Sequence, residues 1–496
     1  MLKNKYGFTI DNMLNNIILL TDGYKFGHHR QRPDGVEIVS SYFESRGSIL
    51  TKYGLPRYNG TVFFGLLYII KKYLEGEVVT LDGIKQAKLF VDDTIGEGVF
   101  NEEGWLRILN KYNGRLPVII RAVPEGTYVP TGNIMLDIEN IGGKETEWLP
   151  NYLETILTHV WYTSIIATNS REIKKTLLSY HHMTSDSSTD IVDFLCHDFG
   201  FRGVTCNEQA GLGGMAHLTS FLGSDTTVGT IFGTTIYNAS NIVSFTIPAS
   251  EHSTATPYLR TGEVTYLENM LTKFPTGLVA TVGDSFDIIN FITNVAGGPL
   301  RDTILNRDGR WICRPDSGDP VATTAKVIEA LWNTFGGTIN SKGYKVLDTH
   351  VRMIQGDGVD LEAIDDILDN FKRLGYSSEN IAFGSGGGLL QKFDRDTLKN
   401  AFKCSYVKFE NGEERDVRKT PMEFTADGEY VQSFKLSKQG KMGLIQTALG
   451  LKTVSREEAG ADDVLKVVFD CGNVTISGTP NWESIKERIA ANLNKL

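Results

Sequence analysis

The sequence predicts an α/β protein whose second half builds a mainly parallel sheet, open or closed into a barrel. Three observations predict it. Apolar runs ending in Asp or Gly recur: 278–282 before Gly283-Asp284-Ser285, 311–313 before Arg314-Pro315-Asp316-Ser317-Gly318, 351–354 before Gln355-Gly356-Asp357-Gly358, and 381–383 before Gly384-Ser385-Gly386-Gly387-Gly388. A helix-patterned segment follows each run, such as 321–335 after Asp319-Pro320 or 361–374 after Asp360. The polar residues therefore fall at equivalent strand ends, the rim where α/β folds gather loops and helix N-termini around a ligand. A single Asp-Gly pair makes only a turn; several at equivalent strand ends make a rim.

The elements before and after this region are mixed. Alternation over 36–44 predicts a strand, 62–74 reads as an apolar-faced helix, and 116–139 reads as paired strands punctuated by Pro124-Glu125-Gly126 and Pro130-Thr131-Gly132 turns. Apolar spacing from 148 to about 180 is helical, and the Ser, Thr and Asp of 183–189 form a connection. Residues 243–247 are strand-like, 412–440 reads as mobile loops, and 470–494 as a short strand followed by a terminal helix.

A chain of 496 residues, 41% hydrophobic and 22% charged, can bury more than one core and should form two or more domains. Its formal charge of −10 disfavours non-specific attraction to nucleic acid or an anionic membrane, so anionic substrates need local cationic clusters. Cys196, Cys206, Cys313, Cys404 and Cys471 are odd in number and lack a C-x-x-C pair, which argues against a disulfide framework or structural zinc and fits a reducing cytoplasm. No stretch has the pattern of a secretory signal or a bilayer span.

Four constellations carry chemistry. Gly384 to Gly388, between an apolar strand and a helix-like Leu389-Leu390-Gln391-Lys392, has the form of a phosphate cradle, although a Gly-rich loop alone is equally a turn. Arg314 and Asp316, two residues apart, can address one ligand, the cation suiting phosphate and the carboxylate suiting ribose hydroxyls, or can simply pair with each other. In Cys196-His197-Asp198-Phe199-Gly200-Phe201-Arg202-Gly203 a flat heteroaromatic could stack on Phe199 while Arg202 meets a phosphate; the alternative for Phe199 is core packing. Glu251-His252-Ser253-Thr254 offers an acid/base or a phosphoryl acceptor at His252. No histidine has metal-ligand spacing, so the only metal expected is Mg²⁺ bridged by substrate phosphates and a carboxylate.

Read in order, these pieces resemble the nicotinamide phosphoribosyltransferases. The matching motifs are Thr21-Asp22-Gly23-Tyr24-Lys25, Ser41-Tyr42-Phe43-Glu44-Ser45-Arg46, Ala167-Thr168-Asn169-Ser170-Arg171-Glu172, His197-Asp198-Phe199-Gly200, Glu251-His252-Ser253-Thr254, Arg314-Pro315-Asp316-Ser317-Gly318, Gln355-Gly356-Asp357-Gly358, Gly384 to Lys392 and Phe402-Lys403-Cys404-Ser405-Tyr406. They span about Asn16 to Asp470.

The resemblance implies an irregular α/β barrel of type II phosphoribosyltransferase form over 186–395, which carries the active-site rim. With it goes a second α+β sheet domain built from the N- and C-terminal segments, 1–185 and 396–496. It implies a cytoplasmic homodimer with shared active sites that makes nicotinamide mononucleotide and pyrophosphate from nicotinamide and phosphoribosyl pyrophosphate in NAD salvage, with ATP as co-substrate.

Carried over by motif, Phe199 and Tyr24 from the other chain sandwich the pyridine, and Asp225 accepts from the carboxamide. Arg202, His252 and Arg314 face the pyrophosphate, Asp316, Gly356 and Asp357 meet the ribose, and Gly387 meets its 5′-phosphate. Arg46, Arg395 and Lys403 add positive charge, and His252 beside Asp284 takes a phosphoryl group from ATP. Phe201, Thr246 and Ala280 depart from the family pattern, as does the longer stretch between Lys419 and Lys435. Rival readings are a nicotinate or quinolinate phosphoribosyltransferase and a non-catalytic nucleotide-binding dimer.

Overall fold

The structure, a computed structural model, describes residues 3–10, 12–239, 244–425, 427–432, 437–491 and 493. The chain divides into two units, one of residues 1–165 with 394–488 and the other of residues 166–393 with 489–496.

In the second unit six parallel strands lie in the order Gly223–Ser224, Cys196–Asp198, Ile381–Ser385, Val351–Gln355, Asp308–Arg314, Thr276–Val282. The two edges are joined through one segment. Phe245 pairs with Gly223 and Ala249 with Ala280, both parallel, so that residues 245–249 close the sheet into an irregular barrel. Of the strand-like run 243–247, Val243 lies outside the described residues; Phe245 at least pairs as a strand would.

The strands form here because their side chains are buried, with Val279, Trp311, Cys313, Val351, Met353, Ile381 and Phe383 all nearly inaccessible. Helices start where the sequence provides caps: Asp319 accepts from Ala322 N–H at 2.8 Å ahead of Pro320–Phe335, with Pro320 in the first turn, and Asp360 accepts from Ala363 N–H at 3.0 Å ahead of Leu361–Arg373. The strand–helix alternation read from the sequence is thus observed, and every strand of the sheet points its C-terminal end to the same rim.

The first unit is built on a seven-stranded antiparallel sheet in the order Glu414–Asp416, Asn400–Phe409, Val36–Ser45, Ile134–Asn140, Val118–Ala122, Lys466–Asp470, Asn473–Val474. The segment from the chain's end is tied to the early strands by charge. Asp137 lies between Arg121 and Arg456, and Arg121 also reaches Asp463 at 2.8 Å. Burial pushes the Asp137 carboxyl up and the two guanidiniums pull it back, so removing one partner would leave an uncompensated buried charge.

Two sequence expectations change. Residues 62–74 are not one helix: Gly60–Val62 is a strand, and the helical turns run Leu66–Ile69 and, in π form, Ile70–Leu74. The break is at Gly65, whose φ of +97° only glycine adopts readily, and the Glu125 carboxylate accepts from the Gly65 and Leu67 N–H groups to start the helix. Residues 412–440 are not wholly loops, since Glu414–Asp416 extends the sheet and Met422–Phe424 pairs with Tyr430–Gln432 as a hairpin; Lys435 lies outside the described residues. After residue 470 the chain forms the short strand Asn473–Val474, paired with Lys466–Asp470, and then the final helix Trp482–Ala491, as the sequence predicts; Asn494 lies outside the described residues. Among the described residues no helix is long and apolar enough to cross a membrane.

Candidate active site

The C-terminal ends of the parallel strands surround a cavity of about 860 Å³, within the size of small-molecule sites. Phe199, Arg202, Asp225, His252, Arg314, Asp316, Gly356, Asp357 and Gly387 all line it. Each comes from a strand end or the loop after it, which is why residues as far apart in sequence as 199 and 387 meet.

Arg314 and Asp316 form the centre. Arg314 donates to Asp316 Oδ1 from Nη2 at 2.7 Å and from Nε at 3.2 Å, and its guanidinium lies 5.6 Å from the centre of the Phe199 ring. Gly356 permits this: a Cβ there would stand 3.0 Å from Arg314 Nε and 3.2 Å from Asp316 Oδ1.

His252 sits over the same pair, with Nε2 3.1 Å from Asp284 Oδ1 and Nδ1 3.8 Å from Asp316 Oδ2. Asp284 is itself fixed, its Oδ2 accepting from the Asp316 N–H at 3.0 Å and the Ser317 hydroxyl at 2.6 Å. With the proton on Nε2, the imidazole donates to Asp284 and presents the Nδ1 lone pair to the cavity side.

The other side of the cavity is aromatic and acidic. Phe199 lies flat against Gly384, where a Cβ would stand 2.0 Å from the ring. Asp225 is exposed and accepts a hydrogen bond from the Thr246 hydroxyl. His197 lies behind it; burial lowers this imidazole below its ordinary value, against the pull of Asp225, so it faces the carboxylate in neutral form near pH 7. Arg202 is exposed at the mouth, 3.8 Å from Glu251. The Gly203 and Gly387 loops touch, since a Cβ on Gly203 would stand 3.4 Å from Gly387, while beside Gly387 itself the space is open.

The remaining candidates belong to the antiparallel-sheet unit. Tyr24 is 67% exposed on the turn Gly23–Arg30, leaving a ring face available. Arg46 pairs with Glu44 at 2.8 Å, Lys403 lies opposite Tyr42 in the sheet, and Arg395 opens the short turn Arg395–Thr397. Burial lowers the Lys403 ammonium, and Arg46, Lys419 and Arg395 lower it further against Glu154, so these cations form a cluster that an anion would relieve.

Among the described residues no three or more His, Cys, Asp or Glu side chains converge as a metal site. Of the cavity carboxylates, Asp225 and Asp357 form no ion pair among the described residues; Asp225 already accepts from Thr246, and Asp357 is the one that would hold a magnesium ion carried in by phosphates. Sequence reasoning missed three contributors: Gly384 as the bed for Phe199, Thr246 as a donor to Asp225, and Ser317 as a donor to Asp284. Thr246 stands out only as a departure from a family pattern, and Gly384 reads as part of a phosphate loop.

Residues 194–435 match the Nicotinate phosphoribosyltransferase (NAPRTase) family, and residues 16–120 match the Nicotinamide phosphoribosyltransferase N-terminal domain. The chain is 41% identical over 470 residues to a nicotinamide phosphoribosyltransferase of Xanthomonas campestris pv. campestris (strain 8004), covering 93% of this chain and 96% of that one. A nicotinamide phosphoribosyltransferase of Acinetobacter baylyi is 31% identical, with 95% and 96% covered. Among solved structures, the nicotinate-nucleotide pyrophosphorylase of Pyrococcus furiosus matches at TM-score 0.59 and 15% identity over 100% of both chains. Human nicotinic acid phosphoribosyltransferase matches at 0.52 and 16%, with 96% of this chain and 94% of that one covered. These two likenesses speak for the fold.

Proposed function

We propose, for a chain that belongs to the nicotinamide phosphoribosyltransferase family, that the barrel-rim cavity joins nicotinamide to the ribose of phosphoribosyl pyrophosphate, releasing pyrophosphate and feeding NAD salvage. The observation that carries this reading is the single cavity in which Phe199, Asp225, Arg314 and Asp316 meet.

Phe199 stacks on the pyridine ring, a contact worth about 1–3 kcal/mol for a base on an aromatic side chain. Asp225 accepts from the carboxamide NH₂. The ring nitrogen attacks the anomeric carbon as the bond from that carbon to the pyrophosphate oxygen breaks, and the leaving group carries the electron pair away. Positive charge develops on the ribose, where Asp316 and Asp357 oppose it, and negative charge on the pyrophosphate, where Arg314 and Arg202 receive it. Gly356 meets the ribose, and Gly387 lets a backbone N–H approach the 5′-phosphate. Bound with the substrate phosphates, Mg²⁺ would neutralise charge on the pyrophosphate, and Asp357 is the carboxylate that would hold it.

The site is completed across a homodimer: Tyr24 of the partner subunit covers the second face of the pyridine, and the cluster of Arg46, Arg395 and Lys403 adds charge around the phosphates. The exposure of Tyr24 and the crowding of cations around Lys403 support this. The five cysteines are all unpaired, which supports a reducing, cytoplasmic setting.

Asp225 also sets the choice of pyridine. A carboxylate facing nicotinate's own carboxylate is repelled, whereas it is paired by the amide. In an assay of mononucleotide formation with nicotinamide and with nicotinate, wild type is expected to favour nicotinamide and Asp225→Ala to narrow the ratio by about tenfold or more. A ratio unchanged in Asp225→Ala removes that residue from the specificity argument, and a wild type that favours nicotinate overturns the substrate assignment.

ATP hydrolysis is coupled through His252. Its Nδ1 attacks the γ-phosphorus, the bond to the β–γ bridging oxygen breaks, ADP departs with that oxygen, and Asp284 holds the Nε2 proton as the ring gains charge. The hydrogen bond from His252 to Asp284 at 3.1 Å supports this tautomer. With γ-labelled ATP, wild type is expected to carry acid-labile label and His252→Ala none; equal absence of label from both proteins would overturn the coupling.

A further inference from the structure

The cavity has a floor as well as a lining. Beneath Phe199 and Asp225, and inaccessible to solvent, lies the Asp198 carboxyl. Its backbone carbonyl accepts from the Asp225 N–H at 2.9 Å, and its strand pairs Asp198 with Ser224 on one side and with Ser385 on the other. Oδ1 accepts from the Gly200 N–H at 2.7 Å, closing the turn that follows Phe199.

Oδ2 points the other way. It lies against the helix Asn207–His217, where a Cβ on Gly214 would stand 3.2 Å from it, and beside the Thr226 hydroxyl, the residue after Asp225. Among the described residues neither Oδ2 nor Thr226 Oγ1 has a hydrogen-bond partner of good geometry, yet the hydroxyl is close enough to act on the carboxyl. One buried side chain therefore touches the residue after the stacking ring and the residue after the amide acceptor.

We propose that Asp198 is a positioning residue that holds Phe199 and Asp225 in register with each other, setting the width and tilt of the slot for a planar carboxamide-bearing ring. The proposal rests on the pyridine-binding reading of the cavity and adds the element that keeps its two halves together. Burial is the chief force on this carboxyl and pushes it up to about 7, with Asp225 adding to the rise and Gly200 and Thr226 opposing it. The neutral form is thus well populated near pH 7, and in that form Oδ1 accepts while the other oxygen carries a proton toward Thr226. A neutral side chain of the same shape should therefore do the same work.

The test compares Asp198→Ala, which removes both contacts, with Asp198→Asn, which keeps an acceptor for Gly200 and a donor for Thr226. The KM values for nicotinamide and phosphoribosyl pyrophosphate and the kcat are measured, together with nicotinamide binding by calorimetry and folding by thermal melting. Asp198→Ala is expected to raise the nicotinamide KM and Kd about tenfold or more with the phosphoribosyl pyrophosphate KM within about threefold, and Asp198→Asn to restore both to within about threefold of wild type. Where Asp198→Ala does not fold, Asp198→Ser takes its place: its hydroxyl makes a weaker form of the same turn, and a selective nicotinamide KM rise of about threefold or more is expected.

Equal rises in both KM values, a loss in kcat alone, or an Asn variant no better than Ala would overturn the proposal. If wild type forms no mononucleotide, the reaction is misassigned, but a nicotinamide Kd weakened in Ala and restored in Asn still upholds the clamp. A wild type that does not bind nicotinamide overturns both.

Discussion

Arg314→Ala is expected to lower kcat/KM for phosphoribosyl pyrophosphate by about 10³-fold, or about 4 kcal/mol of transition-state stabilisation. The size follows from the number of tasks that meet at one guanidinium. It is prepositioned by two hydrogen bonds to Asp316 Oδ1, at 2.7 and 3.2 Å, so it meets the leaving pyrophosphate without reorganising. It also lies 5.6 Å from the Phe199 ring centre, which adds a cation–π contact of about 0.5–1 kcal/mol to the bed of the pyridine.

Removing Arg314 leaves Asp316 without its cation and frees it toward His252 Nδ1, now 3.8 Å away, so the loss should appear mainly in kcat, with only a few-fold rise in nicotinamide KM. Arg314→Lys should recover part of the rate, because it restores charge but not the two-point grip on the carboxylate. Steady-state kinetics with each substrate varied in turn read the result. A loss in Arg314→Ala of less than about tenfold would mean that the pyrophosphate leaves elsewhere.

Much of this site could be read from the sequence because it is written at strand ends. Runs such as Trp311-Ile312-Cys313 followed by Arg314-Pro315-Asp316 announce both the strand and the residues it delivers, and the structure brings Arg314, Asp316, Gly356 and Asp357 to one cavity. What could not be read depends on pairing between distant segments. Gly384 seats Phe199 only because Ile381–Ser385 lies beside Cys196–Asp198, an adjacency that neither segment contains.

The same holds for Thr246, whose partner Asp225 is reached only because Phe245 pairs with Gly223 to close the barrel. The misread helix at 62–74 has a similar cause, since the carboxylate that sets its start, Glu125, arrives from about sixty residues away. Glycine was the least legible residue of all: within Gly384 to Gly388 the pattern suggests one phosphate loop, while the positions do different work.

That division of work gives the second large effect. In Gly384→Ala, the new Cβ would stand 2.0 Å from Phe199 Cε2, 2.3 Å from Cδ2 and 2.7 Å from Cζ, so the ring must leave its place. The backbone has no need of glycine here, for Gly384 is not among the residues at positive φ, and alanine is tolerated within a strand such as Ile381–Ser385. The cost therefore falls on the stacking surface rather than on the fold. Nicotinamide KM should rise about 10- to 100-fold, the value of a lost ring stack, with the phosphoribosyl pyrophosphate KM within about threefold.

Gly387→Ala should do the reverse. Among the described residues, its chain neighbours and own helix backbone aside, nothing lies within 4 Å of its added Cβ, so the methyl group harms only what approaches that backbone from the cavity, and the phosphoribosyl pyrophosphate KM should rise while that of nicotinamide holds. The crossed pattern is the strong form of the claim, because neither general destabilisation nor loosened loops would split the two substrates in opposite directions. Parallel rises in both variants would show that the glycines serve the chain and not two separate halves of the ligand.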